Sequence, residues 1–207
     1  MSEKEEVLRQ ISEIKSHLVD KETFFPYDFN AYHVWSVISV VLTLIMVPIY
    51  EYSIVFGTAI TFLSISIGFI IEGFLTKKVN ASYDIDDCTG RQQFIMKNFL
   101  IISSFAIIFT TVLATYKLYI PIFILWLFLI SMGNFAVGYV LNIKEYERLA
   151  IFNVLVAVTL TLFGIFFSLL ESRGIFMVFV QVMVVVGLAV IPSWIAYKQK
   201  SKEACSV

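Results

Sequence analysis

Two polar side chains interrupt long apolar stretches of the sequence, and they are the residues best placed to do chemistry. Glu72 is the only acidic residue inside such a stretch, and Asn134 is the most polar residue near the middle of another. If these stretches cross a membrane, an ionisable group there costs several kcal/mol unless it is paired or hydrated, which makes Glu72 a candidate functional residue. A structural role near the membrane surface stays open for Glu72, because Lys77 and Lys78 follow it closely. Hydrogen bonding between helices stays open for Asn134.

The common catalytic motifs are missing from the sequence. It contains neither HExxH nor GxSxG, and only His33 of the two histidines lies near an apolar stretch, so a bis-histidine haem site is not expected. Cys88 and Cys205 are isolated and have no metal-ligand spacing. We therefore expect a protein that is not an enzyme, with no catalytic residue, no metal and no cofactor.

The composition is typical of a membrane protein. Of the 207 residues, 59% are hydrophobic and 15% are charged, and the mean hydropathy is +0.86, which excludes an ordinary soluble domain. The formal net charge of −1 gives no basic field for a nucleic acid. We expect the lipid bilayer, and no nucleic acid, among the partners.

Six windows are long and apolar enough to cross a bilayer as helices, which takes about 20 residues each. Short links follow the first, third and fifth windows, so the sequence predicts an all-α integral membrane protein built from three tight hairpins. A loop at 76–97 separates the first two hairpins. The predicted spans are 32–50, 53–75, 98–116, 119–142, 149–170 and 174–197.

The distribution of basic residues predicts the orientation. Thirteen of the 15 Lys and Arg residues lie on the side of the two termini, so the positive-inside rule predicts that both termini are cytoplasmic in an inner or plasma membrane. The chain then divides into a cytoplasmic lead-in at 1–30, a six-helix domain at 31–197 and a cytoplasmic tail at 198–207. Four aromatic residues near that side are expected to anchor the spans at the membrane surface; they are Tyr32, Trp35, Trp194 and Tyr197.

Small residues recur at matching places in the second helix of each predicted hairpin. Gly68, Gly133 and Gly187 are each followed five positions later by a helix breaker; the breakers are Gly73, Gly138 and Pro192. Small residues let helix backbones approach closely in a membrane, so we expect all six positions to be sites of helix packing. A threefold internal repeat and a chance similarity are both left open.

The N-terminal segment predicts an amphipathic helix. Val7, Ile11, Ile14 and Leu18 recur at helical spacing among charged and polar residues. Four basic and six acidic side chains among residues 1–22 do not favour anionic lipid. The apolar stripe is therefore expected to dock a protein surface.

Two functions remain after these exclusions. The favoured one is a non-catalytic membrane subunit or regulator that assembles with a protein partner through the N-terminal helix. The alternative is a small transporter or channel for a neutral or lipid-like solute, with Glu72 and Asn134 along its path. Either function leaves a homo-oligomer open.

Overall fold

The computed structural model describes residues 6–7, 9–11, 27–82 and 90–204. A π-helical turn, Val186–Val190, joins the last two helices. The helices from Asn30 onward are α1 (Asn30–Tyr52), α2 (Ile54–Ser82), α3 (Gly90–Thr115), α4 (Tyr119–Leu141), α5 (Lys144–Phe166), α6 (Ile175–Val185) and α7 (Ile191–Ala204).

The described residues form six helices that are long and apolar enough to cross a membrane. Five of them are α1 to α5, and the sixth is Ile175–Ser201, which runs through α6, the π turn and most of α7. Half of the most apolar window of α4 is buried, against 22% for α2 and for α3, so α4 is the central helix of the bundle. Large apolar side chains cover much of the outer surface, as expected where lipid tails replace water. For the residues that the structure describes, the prediction of an all-helical fold with six helices long and apolar enough to cross a membrane is confirmed.

Two helices extend further than the apolar windows predicted. α2 continues to Ser82 and α3 begins at Gly90, so most of the predicted loop at 76–97 is helical. A reciprocal pair of amide hydrogen bonds joins these extensions: Asn80 Nδ2 donates to Gln92 Oε1 at 3.0 Å, and Gln92 Nε2 donates to Asn80 Oδ1 at 2.7 Å. Both side chains are buried, so the pair stabilises polar helix ends that hydropathy does not detect.

The last predicted hairpin differs from the structure. α5 begins at Lys144 and ends at Phe166, whereas the predicted span was 149–170, and the link to α6 covers residues 167–174. α5 packs mainly against α4 instead of α6. Only Asn142 and Ile143 separate α4 from α5, and a Cβ added at Gly138 would lie 2.8 Å from the backbone nitrogen of Glu147. The structure therefore does not confirm a tight third hairpin.

The links that follow α3, α4 and α5 share one backbone conformation. α3, α4 and α5 are each followed by a residue in the left-handed region, with φ values of 58°, 54° and 53°; these residues are Lys117, Asn142 and Ser168. The N–H of the next residue donates to the carbonyl five positions back, at 2.8–3.0 Å. This is the Schellman arrangement, which provides donors for carbonyls at a helix end and stops the helix.

Three of the predicted packing glycines, Gly68, Gly133 and Gly187, lie against helices that precede them in the chain, and Gly138 lies against α5, which follows it. A Cβ at Gly68 would lie 2.8 Å from Trp35, and one at Gly133 would lie 2.8 Å from Phe99. Gly73 departs from the prediction, because nothing lies within 4 Å of a Cβ added there. Pro192 is buried, and its carbonyl accepts a hydrogen bond from the hydroxyl of Tyr146 at 3.4 Å.

The π turn lies directly before Pro192, and its carbonyls are bound by side chains of other helices. Proline lacks an N–H and crowds the carbonyl four positions back, which a wider turn relieves. Asn153 Nδ2 donates to the carbonyl of Gly187 at 3.0 Å, and the single hydroxyl hydrogen of Ser36 is shared between the carbonyls of Ala189 at 2.9 Å and Tyr32 at 2.7 Å. Gly187 is necessary at this contact, since a Cβ there would lie 2.7 Å from Asn153 Oδ1.

The described part of the N-terminal segment is helical at residues 6–7 and 9–11. Val7 and Ile11 are 49% and 55% exposed, so their apolar side chains are free to meet another surface. Ile14 and Leu18, the other two residues of the predicted stripe, lie outside the described residues.

Candidate functional site

A cavity of about 60 Å³ lies inside the bundle, between α1, α2, α3, α4 and the π turn. It contains both polar residues singled out in the sequence, Glu72 and Asn134. α5 contributes no lining residue. The cavity is lined by Tyr27, Tyr32, Trp35, Ile38, Ser39, Ile65, Glu72, Phe99, Ser103, Ala106, Trp126, Ile130, Asn134 and Leu188.

The Glu72 carboxyl group is buried against α1. Its side chain is 7% exposed, and Trp35 Nε1 donates a hydrogen bond to Glu72 Oε2 at 2.8 Å. Gly68, one turn earlier, lets α2 approach the Trp35 ring closely enough to form this bond. Among the described residues that line the cavity, none is Lys, Arg or His. The carboxyl group is therefore held by a neutral donor, and no positive charge from the described residues borders its cavity.

Asn134 brings an amide group to the opposite wall. It follows Gly133, where the Phe99 ring packs directly on the α4 backbone. The side chain is 4% exposed, and no hydrogen bond joins its amide to another described residue. An amide that faces a cavity without a protein partner can donate to or accept from a bound molecule.

Tyr32 adds a hydroxyl group that the sequence analysis assigned to the membrane surface. The residue is 7% exposed, and its ring stacks on that of Tyr146 with centroids 4.5 Å apart. Within the described part of the chain its hydroxyl is buried and has no hydrogen-bond partner. Such an unpaired buried group costs about 1–3 kcal/mol.

The four predicted surface anchors divide into two pairs. Trp194 and Tyr197 are 63% and 67% exposed, as the prediction required. Tyr32 and Trp35 turn inward and line the cavity instead. Their spacing from charged residues gave no sign of this difference, because an aromatic residue near the end of a span fits either position.

The phenol of Tyr27 lies beside the carboxyl group, just before α1. Burial raises the pKa of Tyr27 well above 10, and the negative charge of Glu72 raises it further. The hydroxyl therefore stays protonated at neutral pH and can donate a hydrogen bond.

Two smaller cavities of about 10 Å³ each extend the main one along the bundle. One shares Tyr27 and Glu72 with it and reaches Gln92, towards the side of the termini. The other shares Ser39 and Trp126 with it and reaches Met46 and Phe123. The lining of that cavity ends in tightly packed apolar side chains that include Met46, Tyr50 and Phe123. Glu72 thus lines both the main cavity and the small cavity that reaches Gln92. The row of three cavities is closed at its other end, near Met46.

A larger groove of about 390 Å³ lies between α3, α4 and α5, but its lining is almost entirely apolar. Thr161 is its only polar side chain, and residues such as Phe109, Leu125 and Phe128 form most of its wall. Such a surface suits a lipid tail. The internal cavity is therefore the candidate site.

The ionisable chemistry of the site depends on one carboxyl group. The described residues include no group of three or more His, Cys, Asp and Glu side chains that could hold a metal ion. What the cavity can offer is one carboxyl group, several uncharged hydrogen-bonding groups and aromatic walls. Comparison with known proteins adds no family, because the chain matches no protein-family model, no curated protein and no solved structure.

Proposed function

We propose that the protein is a small membrane transporter that binds an amphipathic solute in the cavity beside Glu72. The observation that carries the proposal is a buried carboxyl group, 7% exposed, on the wall of a cavity enclosed by several helices. Polar groups at membrane depth are expensive and mark binding sites or pathways. A regulator that acts only through its outer surface has no need for this group.

The row of three cavities supports the same function. It runs from Gln92, near the ends of α2 and α3, past Glu72 to the packed side chains at Met46. The excess of Lys and Arg near the termini favours a cytoplasmic location for that end. We therefore propose that solute reaches the site from the cytoplasmic side and that the apolar packing must open for release.

Two adjacent serines provide a matched test. Ser103 is buried and lines the cavity, whereas Ser104 is exposed on the outer face of α3. We expect Ser103→Leu to fill the cavity and abolish both solute-induced thermal stabilisation and uptake into proteoliposomes. Ser104→Leu should behave like the wild type, because its side chain points away from the site.

The probes for this test are benzyltrimethylammonium and its uncharged isostere neopentylbenzene, with thermal melting and tryptophan fluorescence as readouts. Trp35 and Trp126 line the cavity, so an occupant changes their environment. If neither probe distinguishes Ser103→Leu from Ser104→Leu, the cavity is not a binding site and the proposal fails.

A second candidate, a subunit or regulator that binds a protein partner, is favoured by the exposed apolar residues near the N-terminus. Val7 and Ile11 are one helical turn apart and half exposed. An amphipathic helix on the partner would bury both. A second copy of the chain is the alternative occupant.

Substitution of neighbouring N-terminal residues tests this second candidate. We expect Ile11→Lys to release a protein that co-purifies from native membranes in mild detergent, while Gln10→Lys on the same helix retains it. Mass spectrometry would identify the companion, and the mass of the purified complex would reveal a dimer. A wild-type chain that emerges alone as a monomer contradicts this role.

A further inference from the structure

We infer that the solute of the internal cavity is a lipophilic organic cation, an amine or quaternary ammonium attached to an apolar group, with the Glu72 carboxylate as its counter-ion. This inference rests on the proposed function, since it specifies the solute of the same site. It replaces the neutral or lipid-like solute that the sequence analysis gave for the transporter alternative.

The charges around the cavity are the first argument. Glu72 is 7% exposed and receives one hydrogen bond, from Trp35, that the structure defines at 2.8 Å. No Lys, Arg or His is present among the described residues that line the cavity. An opposite charge stabilises a buried carboxylate, and here a bound cation can supply it.

The aromatic lining is the second argument. Aromatic rings attract ammonium groups through the negative electrostatic potential of their faces, and cages of such rings are common in quaternary ammonium sites. Isoleucine and leucine side chains complete the wall and suit an apolar substituent. Five aromatic residues line the cavity: Tyr27, Tyr32, Trp35, Phe99 and Trp126.

Other solute classes fit the same lining less well. An anion would meet the carboxylate, and the described lining offers no basic residue to balance its charge. Ca²⁺ and Mg²⁺ take six or more oxygen ligands and Zn²⁺ takes about four ligands from His, Cys and carboxylates, whereas the lining offers one carboxyl group among mostly apolar and aromatic side chains. A neutral solute could use the Asn134 amide, but it would leave the buried carboxylate without a counter-charge.

The decisive experiment compares a cation with its uncharged isostere on the full chain in detergent or lipid nanodiscs. Benzyltrimethylammonium and neopentylbenzene have nearly the same shape and differ by one positive charge. We expect the cation to bind the wild type at least tenfold more tightly, measured by tryptophan fluorescence and by the shift in Tm. Equal affinities for the two probes would overturn the inference.

Two substitutions at Glu72 locate the charge that is recognised. Glu72→Gln keeps the size of the side chain and removes its charge, so we expect it to abolish the preference for the cation. Glu72→Asp keeps the charge and should retain most of the preference. A cation preference that survives in Glu72→Gln would show that another group binds the cation and would also overturn the inference.

The outcomes separate the solute class from the proposed function. If both probes bind equally and Ser103→Leu blocks both, the cavity is a solute site and only the cationic class is wrong. If neither probe binds, the proposed function itself fails. The comparison on the wild type stands even if a Glu72 variant does not accumulate.

Discussion

Alanine at Gly138 is expected to lower the free energy of unfolding by about 3 kcal/mol, because the added methyl group would meet the backbone of the neighbouring helix. The added Cβ would lie 2.8 Å from the backbone nitrogen of Glu147 and 3.1 Å from Tyr146 Cβ. Neither obstacle is the flexible end of a side chain. α4 and α5 would have to separate at the short link where they pack most closely.

Gly73→Ala is the matched control for this prediction. Both glycines lie inside spans, but nothing is within 4 Å of a Cβ at Gly73. Alanine there should be neutral or stabilising by up to about 1 kcal/mol, because it favours the helix more than glycine does. Thermal melting of the two variants in mild detergent should separate them by roughly 10 °C. Similar Tm values would show that the contact between α4 and α5 is not as close as the structure indicates.

The hydrogen bond between Trp35 and Glu72 should give the second large effect. Trp35→Phe removes the donor and keeps an aromatic ring, so a buried carboxyl group loses the partner that the structure assigns to it at 2.8 Å. We expect a loss of about 2 kcal/mol in unfolding free energy, within the range for orphaned buried polar groups. Because the inferred solute is a cation, bound benzyltrimethylammonium should restore part of the lost unfolding free energy.

A double-mutant cycle tests whether the loss comes from the bond. In a Glu72→Leu background the carboxyl group is absent, so Trp35→Phe should cost clearly less than it does alone. The difference between the two costs is the coupling energy, expected at about 1–2 kcal/mol. Additive effects of the two substitutions would mean that Trp35 stabilises the bundle only through packing.

The six spans were predictable because an apolar run of about 20 residues has few alternatives in a membrane protein. The residues at which these helices begin and end were not predictable. Residues 167–170 are as apolar as a span yet form a turn, with Ser168 in the left-handed region. Conversely, the helix ends joined by Asn80 and Gln92 are polar and form a stable contact. Hydropathy measures the preference for lipid and contains no information about where an apolar chain turns.

The site was predictable only where a residue differed from its surroundings. Glu72 and Asn134 were identified because they are polar among apolar neighbours, and the structure places both in one cavity. Tyr32 and Trp35 were assigned to the membrane surface, because an aromatic residue near the end of a span carries no mark of the face it occupies. Assembling the site required the order of helices around the bundle, and that order comes from close approaches such as Gly68 on Trp35.

The π turn at Val186–Val190 sets the register of the sixth span. A π turn contains about one residue more than an α turn, so converting it to α geometry would rotate everything after it by about 100° and advance it by about 1.5 Å. α7 would then present a different face to α1, and Leu188 would leave the cavity wall. Asn153 and Ser36 bind carbonyls inside the π turn, so these two side chains stabilise the present register of the sixth span.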